Sequence, residues 1–233
     1  MTEFSYTSIP QAERRPTIGL IVLQTDVTIE REISLWLPPS DYNVLVSRVP
    51  NGVEVTEETL GAMADHITHS ASLFPEDTHF DAVAYCCTSG TSVIGADRVA
   101  ALVKDGCNTE KVSNPVTALV AACENRGIKK LAFLSPYIES VSSHLRDVVA
   151  AEGIDSPVFG SFNEGEDSKV AWIDPTSIKK AAHALAGEGG VDGLFMSCTN
   201  LKTYGLVEEL ERELGMPVLS SNYVLAEHLR GRT

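Results

Sequence analysis

The amino-acid sequence predicts an α/β protein with two pseudo-symmetric halves, each a four-stranded parallel sheet covered by helices on both faces. Short apolar runs alternate with amphipathic stretches along the 233 residues, which is the pattern of parallel strands joined by helices. The pattern restarts halfway, because Thr25 precedes Cys87 by 62 residues and Ser135 precedes Cys198 by 63. Order and spacing, rather than strict repetition, therefore indicate a duplicated four-strand unit.

Proline and glycine punctuate the first half. Helix 28–37 is stopped by Pro38, which cannot continue a helix. Helix 115–125 has Pro115 just inside its start and Gly127 just past its end, the usual asymmetry of helix termini. The other elements predicted here are strands 17–23, 42–49, 81–87 and 111–113 and helices 56–73 and 92–104.

The second half repeats the strand–helix order. Ser135-Pro136-Tyr137 is predicted to be the turn after its first strand, and the polar run 163–169 to be a solvated loop at the rim of a cleft. The predicted strands are 130–134, 157–162, 191–197 and 217–219, and the helices are 138–151, 175–186, 201–214 and a last one to about residue 230.

The expected domain boundaries follow this duplication. Residues 16–114 together with 222–233 form the N-terminal α/β half, and residues 115–221 form the C-terminal half. Residues 1–15 are polar and are expected to be a flexible tail.

Composition excludes several classes of function. The net charge of −14 argues against a nucleic-acid partner, which needs a basic face. No apolar run is long enough to span a bilayer, so no membrane association is expected, and the N-terminus has no signal-peptide core. Five cysteines, an odd number, argue against a disulfide framework and favour a cytoplasmic location.

The cysteines that matter come at the ends of strands. Ligands of parallel sheets bind beyond the carboxyl ends of the strands, so Cys87 and Cys198 are expected on opposite sides of one cleft. Thr88 and Ser89 after Cys87 indicate a helix start, where the pKa of a thiol is expected to fall. Side chains alternate along a strand, so Cys86 is expected to face the core. The sequence has no C-x-x-C spacing typical of a structural zinc site, so no metal site is expected.

Four short motifs carry a resemblance to a known family. They are Gly19-Leu20-Ile21-Val22 with Thr25-Asp26-Val27-Thr28-Ile29-Glu30, then Tyr85-Cys86-Cys87-Thr88-Ser89, then Ser135-Pro136-Tyr137, and then Ser197-Cys198-Thr199-Asn200-Leu201. Together they resemble the aspartate/glutamate racemase superfamily, in its branch of maleate cis-trans isomerases and arylmalonate decarboxylases. The resemblance extends from Ile18 to about Arg230.

The resemblance implies two flavodoxin-like halves with an active site between them. It maps the family's two catalytic cysteines onto Cys87 and Cys198, which act without cofactor or metal. It also implies a small carboxylate substrate and a homo-oligomer, a dimer or larger. The residues expected to bind substrate are Thr25, Asp26, Thr88, Ser89, Tyr137, Thr199 and Asn200.

An isomerase or racemase is favoured over a decarboxylase. Arylmalonate decarboxylases keep only the second cysteine and have glycine at the first place, whereas this chain has both. The resemblance implies that one thiolate adds to an alkene carbon while the other cysteine protonates its neighbour; a racemase would use the pair across one carbon. The alternatives are an arylmalonate-type decarboxylase, an ectoine-breakdown enzyme of the same family, which the stretch 23–30 resembles, and a non-catalytic carboxylate-binding protein.

Asp26 departs from the family pattern. In maleate isomerases the turn after the first strand carries an asparagine that holds a substrate carboxylate, and the matching place here is Asp26. An ionised aspartate repels a dicarboxylate at close range. The sequence leaves two possibilities: a substrate with an amino or amidine group, or an Asp26 that is displaced or protonated.

Overall fold

Two four-stranded sheets form the frame of the computed structural model, which describes residues 1–10 and 13–231. The strands of the first sheet are β1 (Thr17–Leu23), β2 (Asn43–Val49), β3 (Ala82–Cys86) and β4 (Val112–Ser113), in the order β2-β1-β3-β4. Those of the second are β5 (Lys130–Tyr137), β6 (Asp155–Glu164), β7 (Gly193–Met196) and β8 (Val218–Ser220), in the order β6-β5-β7-β8. All these pairs are parallel and the two orders match, which confirms the predicted duplicated fold.

Eleven helices in the described part of the chain join and cover the strands. They are α1 (Ile29–Trp36), α2 (Glu57–Ala62), α3 (Ala64–Ser72), α4 (Thr88–Ile94), α5 (Ala96–Gly106), α6 (Pro115–Arg126), α7 (Glu139–Ala151), α8 (Asp167–Val170), α9 (Pro175–Gly187), α10 (Leu206–Leu214) and α11 (Ser221–Leu229). None of them is both long and apolar enough to cross a membrane.

Side-chain caps and special residues set several helix ends. Asn114 and Asp174 each accept a hydrogen bond from the third residue of the helix that follows, and a proline comes first in both α6 and α9. Gly127 ends α6 with φ +68, the left-handed conformation that glycine adopts without strain. These ends lie where the sequence predicted them.

Two predictions for the first half were wrong in detail. The predicted helix 56–73 is two helices separated at Met63. The predicted helix 92–104 begins earlier, at Thr88, and divides at Gly95, whose φ of +91 interrupts the helix. The chain therefore turns into a helix directly after Cys87, with no intervening loop.

Three predictions for the second half also need correction. Residues 135–137 continue β5 rather than turning, because they pair with β6 across a register shift. The helix predicted from residue 201 begins at Leu206. The predicted loop 163–169 is the end of β6 followed by the short helix α8.

Strand β3 separates its two neighbouring cysteines. Side chains alternate along a strand, so Tyr85 and Cys87 pack in one core cluster, while Ala84 and Cys86 pack in the other. Cys86 is fully buried, as expected for a core residue. Both clusters contain residues from both sheets, so the two halves share their core.

Helices α6 and α11 pack against each other and connect the halves. The domain boundaries at 114/115 and 221/222 stay predictions. Within the predicted tail and the C-terminal segment, residues 11–12 and 232–233 lie outside the described residues.

Candidate active site

Cys87 lies at the carboxyl end of β3 and caps α4. Its backbone is extended, and its Sγ accepts a hydrogen bond from the Gly90 N–H at 3.2 Å. Burial raises the pKa of Cys87 from 9.0 to about 12, and the carboxylates of Asp167 and Asp26 act in the same direction. The expected fall in pKa was wrong, because burial destabilises the thiolate by more than one hydrogen bond from a helical N–H stabilises it.

Cys198 follows β7 in a strained turn. Its φ of +94 lies in the region that favours glycine. The Cys198 N–H donates to Ser221 Oγ at 3.0 Å, and Cys198 Sγ accepts from the Asn200 N–H at 3.3 Å. Sγ also lies 3.0 Å from the Tyr137 hydroxyl. Burial, and then the charge of Asp167, raise the pKa of Cys198 well above its usual value.

Hydrogen bonds join the two cysteine turns. The Thr88 and Ser221 hydroxyls lie 2.8 Å apart, and Ser221 also accepts from Cys198. The Thr199 hydroxyl donates to the Cys86 carbonyl at 3.2 Å. The turn after β3 and the turn after β7 therefore hold each other in place across the interface between the halves.

A cavity with about 390 Å³ of empty space, its open mouth included, lies between these turns. Leu23, Val55 and Leu60 contribute an apolar wall from the first half. Six of the predicted site residues also line it: Cys87, Thr88, Ser89, Tyr137, Cys198 and Thr199. The structure thus brings both thiols and four predicted hydroxyl-bearing residues to one space.

Thr25, Asp26 and Asn200 are not among the residues that line this cavity. Asp26 is buried and accepts hydrogen bonds from the N–H groups of Thr28 and Ile29 at 2.8 and 3.0 Å, so it serves the start of α1. Burial is the main cause that raises its pKa from 3.8 to about 6. Its role as a substrate ligand stays a prediction.

Asp167 is the residue of this cavity that the sequence analysis missed. Instead of lying in a solvated loop, it begins α8, is 2% exposed and lines the cavity. Its Oδ1 accepts from the Tyr137 hydroxyl at 2.5 Å and lies 3.9 Å from Cys198 Sγ. Its Oδ2 accepts from the Thr25 hydroxyl at 2.5 Å and the Asn200 amide at 3.2 Å.

The segment that carries Asp167 also covers the cavity. Glu166 forms an antiparallel bridge with Glu54, and the Val55 N–H donates to the Gly165 carbonyl at 2.8 Å. A loop of each half is therefore joined above the cleft. The one sequence signal that could have identified Asp167 is its position, because its segment follows β6 at the same sheet edge as the cysteines.

A second buried carboxylate, Glu32, anchors the loop after Cys198. It accepts from the N–H groups of Thr203 and Tyr204 at 2.6 and 2.8 Å, and from the Asn222 amide at 2.8 Å. Asn222 also donates to the Thr199 carbonyl at 2.8 Å. This network ties α1 of the first half to the Cys198 turn and does not face the cavity.

Comparisons with known proteins agree with this architecture. Residues 52–226 match the family model described as arylmalonate decarboxylase. The chain is 26% identical over 215 residues to the maleate isomerase of Nocardia farcinica (strain IFM 10152). The aligned region covers 88% of this chain and 84% of that protein.

Solved structures show the same fold. The maleate isomerase Iso from Pseudomonas putida S16 has a TM-score of 0.84 and 20% identity, over 94% of this chain and 92% of that one. A cysteine-to-serine mutant of Nocardia farcinica maleate cis-trans isomerase, with a covalently bound succinylcysteine intermediate, has a TM-score of 0.81 and 24% identity, over 94% and 93%.

Proposed function

The chain belongs to the arylmalonate decarboxylase family, and from this premise we propose that it is an isomerase that uses two cysteines on a small carboxylate without a cofactor. One observation carries the proposal: the thiols of Cys87 and Cys198, one from each half, line the same cavity. The maleate isomerase relatives favour cis–trans isomerisation as the reaction. The presence of Cys87, where the family resemblance puts glycine in decarboxylases, favours isomerisation over loss of carbon dioxide.

The cavity wall supplies neutral donors for a substrate carboxylate. Thr88 and Ser89 lie on it directly after Cys87, whereas the Thr199 hydroxyl is already donated to the Cys86 carbonyl. Hydrogen bonds to an ionised acceptor are stronger than those between neutral groups, so such a cradle can orient a carboxylate between the thiols.

In the proposed reaction, the Cys87 thiolate adds to the alkene carbon. A C–S bond forms, and the π electrons move to the carbon next to the carboxylate, which takes a proton from Cys198. The former double bond is now single and rotates. Cys198 then removes the proton, the double bond re-forms as trans, and Cys87 leaves as a thiolate.

The surroundings of the two thiols support these separate roles. Burial, and then the negative charge of Asp167 3.9 Å away, raise the pKa of Cys198 and keep that thiol protonated and able to act as the acid. The succinylcysteine in a relative supports a covalent cysteine adduct, because a cysteine carries it in a mutant that has lost another cysteine to serine.

Product analysis by NMR tests the proposal, with maleate and related cis-alkenoic acids as probes. The wild type should yield the trans isomer, and Cys198→Ala should lower turnover by about 10²–10⁴-fold through loss of the acid. Cys107→Ala, which removes a half-buried thiol elsewhere, is the matched control and should retain activity. Turnover retained by C198A would rule out the two-cysteine reaction.

A further inference from the structure

The charges on the cavity wall have one sign. Asp167 and Glu54 line it, and in the described part of the chain no Lys, Arg or His does. Arg48 lies behind the turn after β1, where it pairs with Glu30 and donates to the Leu23 carbonyl at 2.9 Å. The cavity therefore holds two carboxylates and no positive group to balance a dianionic ligand.

Of these two carboxylates, Asp167 has the stronger electrostatic effect on a ligand in the cavity, because it is buried. Glu54 is exposed and screened by water, whereas Asp167 is 2% exposed. Its hydrogen-bond partners, Tyr137, Thr25 and Asn200, are all neutral. They fix the carboxylate and compensate its lost hydration, but they leave its negative charge in place.

We propose that the substrate carries a positively charged nitrogen in addition to its carboxylate, and that Asp167 is the specificity-determining residue that receives it. The inference rests on the proposed function, whose substrate class it narrows. The hydroxyls near Cys87 would hold the carboxylate, and Asp167 would attract the ammonium or amidinium group. A second carboxylate at that place would be repelled, so the same residue also rejects dicarboxylates.

The thiols add a reason for this pairing. Burial and the charge of Asp167 raise the pKa of both Cys87 and Cys198. A cationic group bound at Asp167 offsets part of that charge and lowers the pKa of both thiols, so the thiolate of Cys87 becomes easier to form when the right substrate is in place. Burial, the larger cause at Cys198, still keeps that thiol protonated. Substrate selection and thiol activation then have a common cause.

Two probes with the same carbon chain test the inference: maleate and cis-4-aminobut-2-enoate, which replaces one carboxylate by an aminomethyl group. With the full-length wild type, we expect kcat/KM for the ammonium probe to exceed that for maleate by about tenfold or more, from a single buried charge. Asp167→Asn keeps the shape and should reverse this order, losing on the ammonium probe and gaining on maleate.

Glu54→Gln is the matched control, since it removes an exposed charge from the same wall. It should shift the ratio of kcat/KM for the two probes by less than about threefold, toward maleate as in D167N. The inference is overturned if the wild type prefers maleate, or if D167N lowers both activities by the same factor, as a merely structural role would.

Protection of Cys87 from iodoacetamide separates this inference from the proposed function. Stronger protection by the ammonium probe, without conversion of either probe, supports the substrate class and contradicts the isomerase. Conversion of both probes at equal efficiency supports the isomerase and overturns the substrate class. These wild-type measurements decide the question even if D167N does not fold.

Discussion

Each half of the molecule supplies one thiol and one buried aspartate, but the halves use them differently. Cys87 has ordinary extended backbone and caps a helix, whereas Cys198 is held at φ +94 beside a hydrogen-bonded network. Asp26 turns back to α1, while Asp167 faces the cavity. Duplication of the fold therefore reproduces the places of the thiols but not the charges around them.

This difference indicates that the two thiols are not interchangeable. Each Sγ accepts from one backbone N–H, that of Gly90 for Cys87 and that of Asn200 for Cys198, but the Asp167 carboxylate lies 3.9 Å from Cys198 Sγ. A negative group in contact with a thiol favours its protonated form. Cys198 is thus suited to hold a proton and Cys87 to attack carbon.

The largest effect on activity is expected at Gly90, whose N–H donates to Cys87 Sγ and not to Cys198. A substitution there tests the role of one thiol separately from the other. A Cβ there would lie 2.9 Å from Cys87 Sγ and 2.8 Å from the Tyr85 hydroxyl, so Gly90→Ala must displace the thiol. We expect kcat/KM to fall by about 100-fold, the cost of a displacement near 1 Å at a reacting group.

Gly61→Ala is the control for that substitution, since the nearest atom to its added Cβ is 3.7 Å away. It should change kcat/KM by less than about twofold, as ordinary surface changes do. If G90A kept more than a third of the activity, the position of Cys87 would not govern the reaction.

A smaller effect is expected at Asp26, on stability rather than turnover. Its pKa is raised from 3.8 to about 6 in the folded chain, so its contribution to stability is present below pH 4 and is lost as pH rises through 6. Asp26→Asn can still cap α1 and should raise the free energy of unfolding at pH 7.5 by about 1–3 kcal/mol.

Urea unfolding of both chains across this pH range measures that difference. The wild type and D26N should be equally stable near pH 4 and diverge toward neutral pH, with kcat changed by less than about threefold. A D26N chain less stable at pH 7.5 would show that the ionised carboxylate is required at α1, which would make the two aspartates more alike than proposed.

The sequence predicted the fold well because apolar runs and helix ends are local signals. Cys87 and Cys198 could be identified by the same means, since each follows an apolar strand. Asp167 could not, because its burial depends on Thr25, 142 positions away, and on Asn200, 33 positions away. In sequence it stands among Glu, Gly and Ser, which is typical of a solvated loop.

The extension of β5 through Ser135 and Tyr137 could not be predicted from the local sequence either, because it also depends on a long-range contact. A Ser-Pro-Tyr run is typical of a turn, but its pairing with the long strand β6 keeps it extended. Tyr137 is thereby carried to the cavity, where it contacts both Asp167 and Cys198. Tertiary pairing, which no local pattern reports, decides the position of this hydroxyl.

The alkylation rates of the two cysteines, followed by peptide mass spectrometry with iodoacetamide, test the non-equivalence of the thiols most directly. Cys87 should react before Cys198, at a rate that rises about tenfold per pH unit between pH 7 and 9, because its pKa of about 12 keeps it mostly protonated there. D167N should narrow the gap by speeding Cys198 more than Cys87, because Asp167 lies against Cys198 Sγ. Equal rates, or Cys198 reacting first, would contradict the assignment of Cys87 as nucleophile and Cys198 as acid.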